Sequence, residues 1–381
     1  MAKSIMRSNK STAINRLFNS FALFVIVLCS SFYTTKAQNN FEVVAVFDTK
    51  GKIYGDPLVT DDTTVVLGCH RRQVYFLDQK GNEINRVKTG GWVHAAPSQL
   101  QDGTIAVGCY DRKVYYFSSD GRLLNTIEPG GRIFSKIEQF ADGTIVFGTN
   151  RKKIHFIRPD GATYHFTTQK MVHGGITILD NDRLVVGTHD NIIYMLNKSG
   201  KVEYEVPTDH WVVHSKPTVL QDGNIAVGSY DKQLYIFDDR SHEINKIKVG
   251  GAIHSTPLQL ADGTIVFGSL DKNIYLVTPG GEIKKTIKTK GWVVSSPKPL
   301  NDTTFCIGSY DNNLYIISSS GAIVDKFNTG GKIFSTPAIL PDKTIVVASN
   351  NRKVFYLKFH GENHYLNVEK IKSEIKGQEQ L

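Results

Sequence analysis

The sequence predicts an all-β fold, an eight-bladed β-propeller with four antiparallel strands in each blade. Three observations carry that prediction. A unit of about 40 residues recurs eight times, each unit alternates β-branched and aromatic residues between short turn signals, and no stretch keeps a helical period. The segment NEINRVKTGGWVHAAPSQLQDGTIAVGCYDRKVYYFSSDG (82–121) returns as HEINKIKVGGAIHSTPLQLADGTIVFGSLDKNIYLVTPGG (242–281). It returns again as EIKKTIKTKGWVVSSPKPLNDTTFCIGSYDNNLYIISSSG (282–321). The units begin at Glu42, Asn82, Arg122, Ala162, Lys201, His242, Glu282 and Ala322; six have 40 residues, the fourth has 39 and the fifth 41.

Within a unit the elements follow in order. Asp102-Gly103, Asp142-Gly143, Asp222-Gly223 and Asp262-Gly263 read as hairpin turns, in which Gly supplies the positive φ. Four strands at a period near 40 is the pattern of a propeller blade. A solenoid would need polar capping repeats, whereas the first and last units keep the full apolar pattern, so ring closure is the better account. The units tile Glu42 to Gly361 and leave no room for a second domain. The domain plan is therefore a signal peptide at 1–37, one propeller at 38–361 and a C-terminal extension at 362–381.

Composition agrees. With 40% hydrophobic and 21% charged residues and only 4 Cys, the chain is neither a disordered polymer nor a disulfide-stapled miniprotein. The formal charge of +9 misleads, because residues 1–37 hold Lys3, Arg7, Lys10, Arg16 and Lys36 and no acid. Without them 40 basic residues face 36 acidic ones, which removes most support for a nucleic-acid partner. The same segment has a basic start, the apolar run Leu17 to Tyr33 and Thr35-Lys36-Ala37 at a cleavage position. The expectation is cleavage after Ala37 and a secreted or periplasmic protein with no transmembrane segment left. A lipoprotein anchored at Cys29 is the lesser alternative, since bulky Leu28 sits where a small residue is wanted. The remaining Cys69, Cys109 and Cys306 have neither zinc nor redox spacing, and Cys69 and Cys109 occupy a slot that is Ser or Thr in other units.

The pattern Gly-Gly-x-Ile/Val-x-Ser-x-Pro, Asp-Gly-Thr-Ile, then Gly-Ser-x-Asp-x-x-Leu/Ile/Val-Tyr resembles the PQQ-like (pyrroloquinoline-quinone-type) β-propeller repeat. The resemblance covers essentially all of the expected mature chain. It implies that the stretch beginning near Trp92 is the innermost strand, GTIAVG the second, KVYYF the third and the NTIEP type the outermost. It also implies that Phe41–Thr49, an outer-type strand with no unit before it, pairs with the last blade and closes the ring. Quinone-dependent dehydrogenases of that superfamily are longer, carry Trp-rich docking motifs and use adjacent cysteines. This chain has three Trp and no Cys-Cys pair, which argues against bound PQQ, so no cofactor is predicted from the resemblance. The chain also resembles the periplasmic propeller subunit of the outer-membrane protein insertion machinery, which is similar in size and blade number.

On a ring of repeats the repeated residues are scaffold. Tyr75, Tyr115, Tyr194, Tyr235, Tyr275 and Tyr315 share one third-strand position, and Asp111, Asp190, Asp231, Asp271 and Asp311 recur at one turn. They read as inter-blade packing and backbone caps. Function must lie where a fixed position varies. The entry to the innermost strand reads Lys52, Trp92, Arg132, Met171, Trp211, Ala252, Trp292 and Lys332; the turn after the second strand reads His70, Tyr110, Asn150, His189, Tyr230, Leu270, Tyr310 and Asn350. Propeller connectivity puts both on one face. Flat aromatics beside Lys and Arg suit a sugar bearing carboxylate or sulfate, so an anionic polysaccharide is the expected partner.

Deeper in the innermost strand stand Tyr54, His94, Phe134, His173, His214, His254, Val294 and Phe334. A divalent metal on His173, His214 and His254 is one reading, acid–base or substrate contact a second, and aromatic packing a third. The enzymatic expectation is β-elimination by a polysaccharide lyase, with His94, Tyr110 and Arg132, or His173, His189 and Tyr230, as the acid–base and charge-neutralising groups. Lys52, His70, Trp92, Trp211, His214, His254, Trp292, Tyr310 and Lys332 would then bind substrate. No Gly-x-Ser-x-Gly, His-Glu-x-x-His or phosphate-loop motif is present. The alternative is a non-catalytic envelope scaffold with protein partners.

Overall fold

The computed structural model describes residues 40–361. The proposed signal peptide, Cys29 and the extension from 362 lie outside the described residues. Eight four-stranded antiparallel sheets form the ring, with blades 1 to 7 at residues 58–88, 98–127, 138–167, 176–207, 218–248, 258–288 and 298–328. In blade 2, for example, Ser98–Gln99, Ile105–Gly108, Val114–Phe117 and Leu123–Ile127 run from axis to rim. Blade 8 is composite. Ala338–Ile339, Ile345–Ala348 and Lys353–Phe359 take Phe41–Asp48 as the outer strand, paired from Phe41↔Phe359 to Asp48↔Lys353. Each sequence unit therefore supplies the outer strand of one blade and the inner three of the next, and the ends of the ring lock together. A second lock lies near the axis, where the Thr336 N–H donates to the Asp56 carboxylate at 2.6 Å.

The innermost strands are shorter than expected. Only two residues pair in seven of the eight blades, whereas blade 4 pairs Ile176–Leu179. The stretch from the entry residue to the Pro lies outside the named strands, with one isolated bridge, Ile133 to Thr149. Pro57, Pro97, Pro217, Pro257, Pro297 and Pro337 end that stretch and lack the N–H a ladder needs.

Blades meet through one repeated close contact. The Gly at the end of the second strand faces the Val or Ile that follows the next entry residue. A Cβ on Gly68, Gly148, Gly228 or Gly308 would stand 2.0–2.4 Å from Val93, Val172, Ile253 or Ile333. The Asp-Gly turns take the expected left-handed geometry, with φ of 82°, 86°, 84° and 81° at Gly103, Gly143, Gly223 and Gly263. The Tyr–Asp lattice is tighter than packing alone. Tyr115, Tyr235, Tyr275 and Tyr315 donate to Asp111, Asp231, Asp271 and Asp311 at 2.6 Å, and Tyr194 donates to Asp190 at 3.0 Å. Asp111 also accepts the Gly90 N–H at 2.8 Å, tying blade 1's exit loop to blade 2. Cys69, Cys109 and Cys306 are buried and unbridged. Among the described residues no helix is long and apolar enough to cross a membrane.

Candidate functional site

Eight backbone hydrogen bonds bring the two variable positions together on one face. In every unit the N–H of the turn residue donates to the carbonyl of the entry residue: His70 to Lys52, Tyr110 to Trp92, Asn150 to Arg132, His189 to Met171, Tyr230 to Trp211, Leu270 to Ala252, Tyr310 to Trp292 and Asn350 to Lys332, at 2.8–3.2 Å. The entry side chains then face solvent. Trp92, Trp211 and Trp292 are 48%, 38% and 49% exposed, large apolar exposure for loop residues.

These side chains form three aromatic groups. His70 stacks on Trp92 at 4.7 Å, and Tyr110 lies 5.9 Å from Trp92 with Arg132 above its ring at 5.8 Å. Trp211 packs against His189 at 4.9 Å and Tyr230 at 6.0 Å. Trp292 stacks on Tyr310 at 5.8 Å, and the Lys332 ammonium stands 5.2 Å above Tyr310. His210 belongs to the second group, 4.9 Å from Trp211 and 5.8 Å from Tyr230. The sequence reading missed it, although it stands directly before the entry residue, where six other units have Gly.

Below this rim the channel residues close the axis. His173 and His214 approach to 4.3 Å between ring centres, His214 and His254 to 4.7 Å, and His94 lies 6.0 Å from His173. Tyr54, Phe134 and Phe334 pack among them. Alternate residues of an extended strand share a face, so two positions further on come Asp56, Lys136, Lys216 and Thr336. With the His layer they line a cavity of about 150 Å³, to which the Trp rim contributes no residue. Lys216 crosses over Gly175 to reach Glu138 at 2.7 Å. None of this second layer was legible as a site, because its signal is only a two-residue offset.

The expected catalytic groups are partly assembled. His94, Tyr110 and Arg132 do meet, with 5.8 Å between the first two rings. In the other set His173 stacks on His189 at 5.8 Å, but Tyr230 instead hydrogen-bonds His254. That bond also redraws the expected metal set. His254 Nε2 is engaged by Tyr230, and the imidazoles whose donor nitrogens lie within 4.8 Å of one another are His94, His173 and His214. The physical reason is that the channel brings together blades 2, 4 and 5 across the axis, not only neighbours along the ring.

Burial sets the protonation of the site. Desolvation pushes His94 and His214 down to about 3 and His70 and His254 down to about 4, with neighbouring charges adding to the effect at His94, His214 and His70. His173 and His189 move down for the same first cause. Tyr110 and Tyr310 are pushed up to about 12. These imidazoles are neutral and these phenols protonated at pH 7. Burial moves both away from neutrality, opposite to what general acid–base work needs, and leaves hydrogen-bonding and ligating groups.

No protein-family model and no curated protein sequence matches the chain. Solved structures do match, in large number. The chain is similar to BamB from Moraxella catarrhalis, with a TM-score of 0.72 at 15% identity over 84% of this chain and 100% of that one. It is similar to Sqt1 from Saccharomyces cerevisiae, with a TM-score of 0.73 at 12% identity over 84% and 98%. It is also similar to the computationally designed Ika8 protein, with a TM-score of 0.69 at 14% identity over 81% and 96%. At these identities the likeness concerns the fold, and the fold is that of an eight-bladed β-propeller.

Proposed function

We propose that this chain is an exported binding propeller of the PQQ-like repeat type whose Trp-bearing face takes an anionic polysaccharide. The observation that carries the reading is the three exposed tryptophans on one face, each packed against a His or Tyr ring and two of the groups flanked by Arg132 or Lys332. Flat rings match the apolar faces of sugars, and the adjacent cations match uronate or sulfate groups. The shifted His and Tyr groups favour binding over lyase chemistry. The mature chain from Gln38 should be retarded in gels containing one uronate-bearing or sulfated polysaccharide, with no unsaturated product formed. Replacing Trp92, Trp211 and Trp292 with Ala should abolish the retardation, each alone costing about tenfold in affinity. Unchanged retardation of the triple variant would overturn the reading, and release of unsaturated product would restore the lyase.

The second reading is a protein scaffold. Its supporting observation is the open edge of the outer strands, where Val44, Ile84, Leu124, Ile244, Ile283 and Ile323 are 40–53% exposed. It is tested by whether charged substitutions at Ile84 and Ile244 release a co-purifying envelope protein while glycan retention stays unchanged.

A further inference from the structure

We propose that His94, His173 and His214 form a transition-metal site across the channel, a three-imidazole set suited to Zn²⁺ whose remaining position is offered by the cavity of about 150 Å³ that all three line. The three ligands lie below the Trp face and include none of the rim tryptophans; His70, which stacks on Trp92 and contacts His94, is the neighbour the two regions share.

Four observations converge on it. First, the donor nitrogens lie within 4.8 Å of one another. Zn–N bonds of about 2.0–2.1 Å at tetrahedral angles put donors about 3.4 Å apart, so closing the set needs rotamer adjustments of about 1 Å. Second, His94 Nε2 and His173 Nε2 are buried without a hydrogen-bond partner in the described chain. Phe134 and Phe334 fill the same position with carbon alone, so imidazoles there leave buried polar atoms unpaired, which is destabilising. A ligated ion removes that cost.

Third, His214 has φ of 63°, and no other residue of this position is left-handed. A bulky residue there is strained, and such strain persists where the surroundings impose it. The insertion of the fifth unit immediately precedes it, so the unit that breaks the 40-residue count also turns its imidazole against His173. Fourth, the outer partners are in place. His94 Nδ1 lies 3.3 Å from His70 Nε2, so Nδ1–H can donate to His70 and leave Nε2 to the ion, the usual orientation of a ligating histidine. Of the two lysines in the cavity lining, Lys216 pairs with Glu138, and Lys136 shares the lining with Asp56. Imidazole donors suit Zn²⁺, Cu²⁺, Ni²⁺ or Fe²⁺ over the hard ions Ca²⁺ and Mg²⁺.

The test uses the full, tag-free chain titrated with Co²⁺ and with Zn²⁺ against a chromophoric chelator. The expected result is about one ion per chain, with the visible d–d bands of a four-coordinate Co²⁺ centre and a Zn²⁺-dependent rise in melting temperature. His94→Phe, His173→Phe and His214→Asn should each weaken Zn²⁺ by more than about 100-fold, and His70→Phe by about 10–100-fold as an outer partner. Phe already occupies this position in two units and Asn tolerates positive φ, so these variants keep the fold; His94→Gln serves as a check that polarity is not the cause. His254→Phe should leave binding unchanged, as should the triple Trp→Ala variant, which separates this proposal from the glycan reading. Zn²⁺ uptake by the wild-type chain equal to that of His173→Phe, or a loss seen in His254→Phe and not in His94→Phe, would overturn it.

Discussion

Two rings of residues in this propeller, one on the third strands and one on the innermost stretches, are built by opposite rules. The outer one repeats: five blades tie a third-strand Tyr to a turn Asp in the same way. The inner one does not: one strand position holds Tyr54, His94, Phe134, His173, His214, His254, Val294 and Phe334 in turn. Repetition is what a symmetric ring needs to close, since every blade must meet its neighbour alike. Departure from it is what a ligand needs, since a site must differ from its symmetry mates.

Substitutions at the repeated contacts should cost the most stability. Gly228→Val places atoms where Ile253 already stands, with even a Cβ only 2.2 Å away. Overpacking of this kind costs about 1–3 kcal/mol or more, which lowers the melting temperature by several degrees. Glycan and metal binding of the surviving folded chain should be unchanged. A neutral outcome would show that the blades are not locked here.

Acid comes next. His94, His214, His70 and His254 have folded values of about 3 to 4 against an unfolded value near 6.5. The unfolded chain therefore binds more protons between those limits, so their contribution is fully present above pH 6.5 and is lost as pH falls toward 4. For a ring at about 3 the loss reaches about 2 kcal/mol by pH 5. Melting temperature should fall between pH 7 and pH 5, and His94→Phe should flatten that slope. A slope unchanged by the substitution would contradict the burial described for this ring.

Tyr235→Phe should have a smaller effect, confined to the repeated ring. It removes one hydrogen bond to Asp231, which keeps the Gln233 N–H at 3.0 Å and the Asp209 N–H at 3.1 Å. The expected cost is about 1.5 kcal/mol in stability, with no change in ligand retention. Loss of retention with unchanged stability would reverse the roles assigned to the two rings.

Much of this was legible from the repeat. Aligning the units placed the entry and turn residues together, and eight hydrogen bonds join them. The repeat likewise set His94, His173, His214 and His254 at one position of the innermost strand, but left their direction open between the channel and the blade interface. What was hidden depends on how the ring is wrapped. Sequence neighbours His214 and His254 looked like partners, whereas the channel sets His94 against His173 and His214, and Tyr230 takes His254. The left-handed turn at His214 and the passage of Lys216 over Gly175 follow from the 39- and 41-residue units, whose effect on direction cannot be read from a count. The short inner ladders also escaped the strand pattern, because the Pro that ends each stretch still fits an extended chain.

The most direct test of the division between the two rings is one retention measurement on two folded variants. The chain with Trp92, Trp211 and Trp292 changed to Ala, and the chain with Tyr115, Tyr235 and Tyr315 changed to Phe, are run in gels with and without the polysaccharide that retards the wild type. The predicted result is free migration of the Trp variant and undiminished retardation of the Tyr variant. Retardation of the Trp variant, or its loss in the Tyr variant alone, would contradict the claim that this propeller binds through the residues in which its blades differ.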